Sequence, residues 1–395
     1  MEENQNVNRP QRRSPVTRNR RLQGQYLSWL LLGTVALFLV LGIFLPDREF
    51  SESENRKLAS FPEISLSSLT DGSFLSGLGD YVADQFPGRD LWMSLNLAFN
   101  RILGQKEASG VYLCEDNYLM QVPSAPNEAQ LKRNLDAIND YSAYHPNLNT
   151  VVTIVPNAVT IHADKLPENA PVRDQKADLN QIRFDLAGMN FVDVTQVLSD
   201  HSDESLFYRT DHHWTSLAAH YTFEIIAPYF DIEAPAWASY KVYTVSNSFE
   251  GTLSSKSGSH SVKDVVQVYA PATNIEYYVT YDGNQTPICS MYDRDALKGK
   301  DHYTVFFGGN YGRVDITTTA DTGRCLLVFK DSYANCMMQF LYPYFDHITM
   351  IDPRYYYDNV ENVIKSESIT DVLYLYNLDT FLGDSSLADV LMAGN

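Results

Sequence analysis

Cysteine is scarce in this chain: four residues in 395 (Cys114, Cys289, Cys325 and Cys336), too few for a disulfide framework and without zinc-type spacing. Isolated bridges and buried free thiols both stay open. Positive charge is also short, with 30 Lys and Arg against 49 Asp and Glu for a net charge of -19, which argues against a nucleic-acid partner. Charge of either sign is missing altogether from Tyr26 to Leu45. No small-x-small cleavage site follows that run, which is longer than a signal-peptide core, so it reads as an uncleaved signal anchor. From Leu27 to Leu45 a helix rises about 28 Å at ~1.5 Å per residue, close to the ~30 Å hydrocarbon core of a bilayer. Pro46 and Asp47 close the run, and Tyr26 and Trp29 suit a membrane interface.

The first 25 residues carry Arg9, Arg12, Arg13, Arg18, Arg20 and Arg21 against Glu2 and Glu3. This basic tail should stay in the cytoplasm, giving a single-pass plasma-membrane protein anchored in lipid through residues 26-46, with 47-395 outside the cell. The tail contributes about +4, so the exported part is near -23. Those roughly 350 residues are enough for one large core or two smaller ones.

Residues 47-110 read as a helical connector. One helix starts near Asp71-Gly72-Ser73-Phe74 and stops at Phe86-Pro87-Gly88; a second carries Leu91, Leu95, Ala98 and Ile102 and closes at Gly104. From 111 to 395 the pattern is that of a strand-and-helix body. Helical segments at 127-144 and 174-186 precede the apolar runs Thr150 to Val155 and Phe191 to Val194. Ser216 to Pro228 is again helical. Between about 240 and 319 short runs of Tyr, Val and Thr, as in Ile275 to Tyr281 and Tyr303 to Phe307, suggest a strand-rich insertion. The alternation then resumes: strand Cys325 to Phe329, helix Tyr333 to Leu341, strand Ile348 to Ile351, helix near Val360 to Ile364, strand Val372 to Tyr376. Such units predict a parallel sheet with right-handed crossovers and a ligand site at the carboxyl ends of its strands, where Ser332, Asp352 to Arg354 and Asn377 all fall.

Asp211-His212-His213-Trp214 and Lys330-Asp331-Ser332-Tyr333 together offer an acid, a base and a nucleophile. On an extended segment Asp211 and His213 point the same way and His212 faces elsewhere. Ser332, just after a buried strand, exposes its hydroxyl among free helix-terminal amides that suit an oxyanion. His213 would take its proton, Asp211 would orient the imidazole, and Asn377 would add an oxyanion donor. Plainer readings stand beside these. Ser332 and Asp211 are also good helix caps. Trp214 is core or a sugar-stacking platform, Arg354 binds substrate or pairs with an acid, Asn377 satisfies a turn, and Asp331 is a turn residue. Adjacent histidines rarely point at one ion and no third ligand is suitably spaced, so neither a metal nor another cofactor is called for.

These residues resemble the DHHW proteins, a bacterial membrane-anchored family named for the motif at 211-214, and through them the alginate O-acetylation proteins with SGNH-hydrolase-like catalytic domains. The resemblance takes in Glu54-Asn55-Arg56-Lys57-Leu58 with Phe61-Pro62, Asp84 to Arg89, Tyr208 to Thr215 and the Ser332 turn. Asp211, His213 and Trp214 match the Asp-x-His-Trp element of the alginate group; Ser332 and Tyr333 match its nucleophile and the tyrosine that follows. Lys330 stands where SGNH hydrolases have glycine, and the Gly-x-Asn-Asp pattern is absent around Asn377. The resemblance implies an SGNH-hydrolase-like, flavodoxin-like α/β fold with a mainly parallel sheet flanked by helices. It also implies catalysis by Ser332, His213 and Asp211, with His212, Trp214, Tyr333, Arg354 and Asn377 around substrate or oxyanion. The implied activity is O-acetyl transfer to an extracellular polysaccharide, with acetyl groups supplied by a membrane-bound O-acyltransferase partner. An acetyl esterase and a non-catalytic glycan-binding scaffold are the alternatives.

Overall fold

The computed structural model describes residues 15-51, 56-186, 188-282 and 284-393. Most of the basic tail and the Glu54-Asn55 pair therefore lie outside the described residues. Two compact units emerge, one taking in 15-51 and 56-93, the other running from Ser94. The first contains α1 (Pro15–Phe44) and α2 (Ser73–Asp84), with α3 (Arg89–Ile102) beginning at its end. Within α1, Leu22–Gly42 is long and apolar enough to cross a membrane by length and composition. Gly72, at φ +81°, makes the left-handed step into α2, and Gly104, at φ +83°, follows α3.

The second unit runs α4 (Glu128–Tyr144), β1 (Asn149–Val155), α5 (Gln175–Asp185), β2 (Asn190–Phe191), α6 (Ser216–Ile226), β3 (Tyr240–Phe249), β4 (Asp264–Pro271), β5 (Tyr277–Tyr281) and β6 (Asn284–Ile288). It continues with β7 (Arg313–Thr318), β8 (Cys325–Lys330), α7 (Tyr333–Leu341), β9 (His347–Ile351), α8 (Val360–Ser366), β10 (Asp371–Asn377), α9 (Leu378–Gly383) and α10 (Leu387–Met392). The helices start where polar caps allow: the side chains of Asn127, Asp174, Thr215 and Asn359 accept first-turn amides of α4, α5, α6 and α8.

Eight strands form one sheet in the order β6-β5-β7-β9-β8-β10-β1-β2. From β9 to β2 every pairing is parallel, and β8 lies between β9 and β10. The β7, β5 and β6 edge is antiparallel, with Arg313 to Thr317 set against Ile351 to His347. The sheet is thus mixed, as the strand-rich stretch joins it instead of standing apart. The chain passes from β7 to β8 through a short loop without a crossover helix, and β7 accordingly runs opposite to β8 and β9. The rest of that stretch makes the β3-β4 hairpin. Two local expectations give way. Of the 191-194 run only Phe191 enters the ladder, in the two-residue strand Asn190–Phe191, and the run Tyr303 to Phe307 begins in a 3₁₀ turn, His302–Val305, instead of a strand.

Alternation along β8 decides the layering. Leu326 and Val328 face one apolar cluster with α6 and α7; Leu327 and Phe329 face the other with α4, α5 and α8 to α10. All four are fully buried. No cysteine is bridged: Cys114 and Cys336 are buried thiols, Cys325 is half-buried, and Cys289 is exposed. Phe329 stacks on Tyr374 with ring centroids 4.9 Å apart. Phe329→Ala is expected to cost about 3–5 kcal/mol through lost burial and the cavity left behind, measurable by urea denaturation.

Candidate active site

Asp211-His212-His213 forms a tight turn between Phe207 and Trp214, which bridge one another. Asp211 Oδ1 accepts the His213 backbone N–H at 3.0 Å and the same residue's Nδ1–H at 2.5 Å. The pair therefore meets through an Asx-type turn, not along an extended segment. For the same reason His212 does not face away: its ring lies 4.0 Å from that of His213. Its Nδ1 is 2.8 Å from Thr252 Oγ1, whose hydroxyl donates to Asp211 Oδ2 at 2.9 Å, so His212 is the donor to the threonine. The Thr252 N–H adds a bond of 2.7 Å to the same oxygen.

With Nδ1–H turned to Asp211, His213 presents the Nε2 lone pair to Ser332 Oγ, 2.7 Å away. The Tyr303 ring lies parallel to the imidazole at 3.8 Å, and its hydroxyl donates to the Ser332 carbonyl at 2.9 Å. Asp211 and His213 are buried, while Ser332 is half-exposed. Burial works against the Asp211 charge, yet the adjacent imidazoles and the bonds from His213 and Thr252 outweigh it and hold its pKa below the ordinary carboxylate value. Burial, with His213 beside it, brings the His212 pKa down to about 4, so its imidazole is neutral near pH 7.

Ser332 makes no side-chain cap to α7, and Thr215, not Asp211, caps α6. Asp331 is the true organiser of the turn. Its Oδ1 accepts the Tyr333 N–H at 2.8 Å and its Oδ2 accepts the Asn377 N–H at 2.9 Å and Nδ2–H at 2.5 Å. Asn377 Nδ2 also donates to Thr380 at 2.7 Å, so both amide hydrogens are engaged and none is left for an oxyanion. Tyr333 N–H is likewise occupied. Ser332 N–H, at the N-terminus of α7, has no acceptor among the described residues and is the oxyanion donor the turn offers.

Trp214 and Tyr333 are fully buried and stacked with centroids 5.2 Å apart. Trp214 Nε1–H donates to Tyr333 O at 2.9 Å, and Tyr333 OH donates to His212 O at 2.6 Å. They lock the two halves of the site together instead of meeting substrate. Arg354 makes a two-pronged pair with Asp352, at 2.8 and 2.6 Å. Asp211, His212 and His213 bring potential metal donors within 4.8 Å of one another, but Asp211 Oδ1 and Oδ2 and the Nδ1 atoms of both rings are engaged in the bonds above.

Sequence reasoning passed over Thr252, Tyr303 and Asp264. Asp264 accepts the Arg209 and Thr210 N–H groups at 3.0 and 2.8 Å and the Thr210 hydroxyl at 2.6 Å, pinning the approach to Asp211. None carries a local motif; Gly251 beside Thr252 was the one available signal. A Cβ there would sit 2.2 Å from Asp211 Cβ, so the close approach requires glycine.

Two sequence profiles match the chain: "SGNH hydrolase-like domain, acetyltransferase AlgX" over residues 115–271, and "DHHW protein" over 54–111. None of the curated proteins matches it. Among solved structures, a DHHW family protein from Eubacterium siraeum DSM 15702 is 23% identical, with a TM-score of 0.62 over 73% of this chain and 96% of that one. PatB1 of Bacillus cereus, solved with a sulfonyl adduct, is 21% identical, with a TM-score of 0.58 over 70% of this chain and 98% of that one. The resemblance to DHHW and SGNH hydrolase-like proteins holds, and the fold is SGNH-like.

Gly251→Ala should displace Asp211 and lower turnover of an ester substrate on the order of 100-fold, with the fold intact by circular dichroism. Burial raises the Asp331 pKa to about 6, above the unfolded value of 3.8. The folded state then binds the extra proton between these values, so this group's contribution to stability is present below pH 4 and lost as pH rises through 6, by up to ~3 kcal/mol. In urea denaturation at a series of pH values, the difference between the parent protein and Asp331→Asn should carry that slope.

Proposed function

We propose that the chain is a membrane-anchored, extracytoplasmic, serine-dependent O-acetyltransferase acting on a polysaccharide of the cell envelope. The observation that carries this reading is the continuous hydrogen-bonded line from Asp211 through His213 to Ser332, at 2.5 and 2.7 Å. A scaffold would have no use for a serine hydroxyl aimed at a base while the neighbouring cap goes unmade. The acetyltransferase description of the profile over 115–271 supports the group transferred, and the apolar Leu22–Gly42 helix supports the anchor.

In the first half-reaction Ser332 Oγ attacks the acetyl carbonyl of a donor ester as His213 Nε2 accepts the hydroxyl proton. The developing oxyanion turns to the Ser332 N–H at the positive end of α7. Collapse breaks the ester bond, returns the proton from His213 to the departing alcohol and leaves acetyl-Ser332. A sugar hydroxyl then gives its proton to His213, attacks the acetyl-serine carbonyl and leaves as the O-acetyl sugar, with the proton restored to Ser332. Asp211 keeps His213 in the tautomer that both halves need. Lipid holds residues 26-46, and a membrane-bound O-acyltransferase is the partner that fits as acetyl supplier.

PatB1 accommodates a sulfonyl adduct, so a sulfonyl fluoride is a suitable probe. The full-length protein in detergent is expected to take one sulfonyl group on the peptide containing Ser332, and Ser332→Ala none. Asp211→Asn should slow release of acetate from an activated acetyl ester on the order of 10³–10⁴-fold. Labelling unchanged by Ser332→Ala would defeat serine catalysis. Acetyl-serine that passes only to water, with no glycan accepting it, would make the protein an esterase.

A further inference from the structure

The carboxyl edge of the sheet holds a second set of residues that the triad does not use. Phe329 of β8 lies opposite Ile351 of β9, so Ser332 and Arg354, each three residues on, leave neighbouring parallel strands at one level. Such strands are ~4.8 Å apart. After β8 the chain enters α7 in one core cluster, whereas after β9 it enters α8 in the other. Connections that depart to opposite faces open a crevice between the strand ends, the usual place for a ligand in this kind of sheet. Its floor is ionic: buried Lys330 Nζ donates to Asn335 Oδ1 at 2.9 Å and stands 3.6 Å from Asp352 Oδ2. Arg354 grips the same carboxylate with two nitrogens and leaves Nη1 without a partner among the described residues, its side chain 34% exposed.

Beyond Arg354 two aromatic rings face solvent within three residues. Tyr355 is 49% and Tyr357 90% exposed, while Tyr356 between them is buried. Tyr357 is held by its hydroxyl, which donates to Arg354 O at 3.4 Å, and the Arg354 guanidinium lies 5.5 Å from the centre of the Tyr355 ring. A cavity of about 340 Å³ adjoins Tyr357, lined also by Arg354, Asp358, Ser386 and Asp389. Its volume is within the range of small-ligand sites. An exposed ring beside hydroxyl, carboxylate and guanidinium groups presents a face for sugar C–H groups and partners for sugar hydroxyls.

We propose that this crevice is the acceptor subsite and that it takes an uncharged saccharide; the inference rests on reading Ser332 as the acyl carrier. Charge makes the choice. A carboxylate-bearing sugar needs an uncommitted cation, and each one here has an acid: Arg354 has Asp352, Lys330 shares it, and Arg133 pairs with Asp389. Asp358 adds a carboxylate with no cationic partner among the described residues, in an exported chain already near -23. The sugar ring stacks on Tyr357, and its hydroxyls meet Arg354 Nη1, Asp358 and Ser386.

The test is calorimetric titration of the full-length Ser332→Ala protein in detergent with neutral hexamers of glucose and of N-acetylglucosamine, and with a galacturonate hexamer. At least one neutral hexamer should bind saturably. Tyr357→Ala should weaken it about tenfold, and Tyr357→Phe, which keeps the ring, should restore it. The galacturonate hexamer should bind at least tenfold more weakly, the gap closing as salt is raised. Failure of both neutral hexamers, tighter binding of galacturonate, or indifference to Tyr357→Ala would each overturn the proposal. Ser332 that still takes the sulfonyl label while the titration fails would sink the subsite alone; absence of the label would remove the acyl-carrier reading itself.

Discussion

Everything at the active edge depends on a carboxylate that has no contact with water. Asp331 joins the turn after β8 to the end of β10, satisfying an amide at the start of α7 and two N–H groups of Asn377. Withdrawing such a group from water costs several kcal/mol unless its oxygens are fully bonded, so the arrangement tolerates little distortion. The rigid turn holds Ser332 Oγ 2.7 Å from His213 Nε2, a distance that the proposed nucleophilic role needs kept to a fraction of an ångström. The neighbouring Lys330, Asp352 and Arg354 extend this buried charge lattice across to β9.

The base side of the site is braced from elsewhere. Asp264, at the start of β4, fixes Arg209 and Thr210; Thr252 fixes Asp211; Tyr303 lies under His213. All three come from the stretch between 240 and 319. That region therefore supplies both the antiparallel edge of the sheet and the frame that keeps Asp211 in place.

Much of this was legible in the chain. The runs around β8, β9 and β10 are apolar on both faces and separated by helical spacing, so their parallel stacking, and the position of Ser332 at a strand end, follow from periodicity. Asp211 and His213 were legible as a pair, though the turn that joins them was not. The i, i+2 rule assumed extended backbone, whereas an aspartate that bonds the amide two residues on makes its own bend. Asn377 and Tyr333 had the right addresses but different work: where a side chain's hydrogens go depends on neighbours from distant segments, which no local pattern encodes. Thr252 and Tyr303 stood in a stretch whose alternating Tyr, Val and Thr suggested strand, and tertiary contacts made them a helix start and a 3₁₀ turn.

The closeness of Gly251 to Asp211 has a consequence for how the molecule comes into being. Segments around 211, 252 and 332 must all arrive before the acid is clamped, the imidazole oriented and the serine addressed. Contacts so far apart along the chain form late, after the loops between them have closed. A half-assembled chain carries a serine no more reactive than any other, and the acyl chemistry proposed for Ser332 would switch on only with the completed fold.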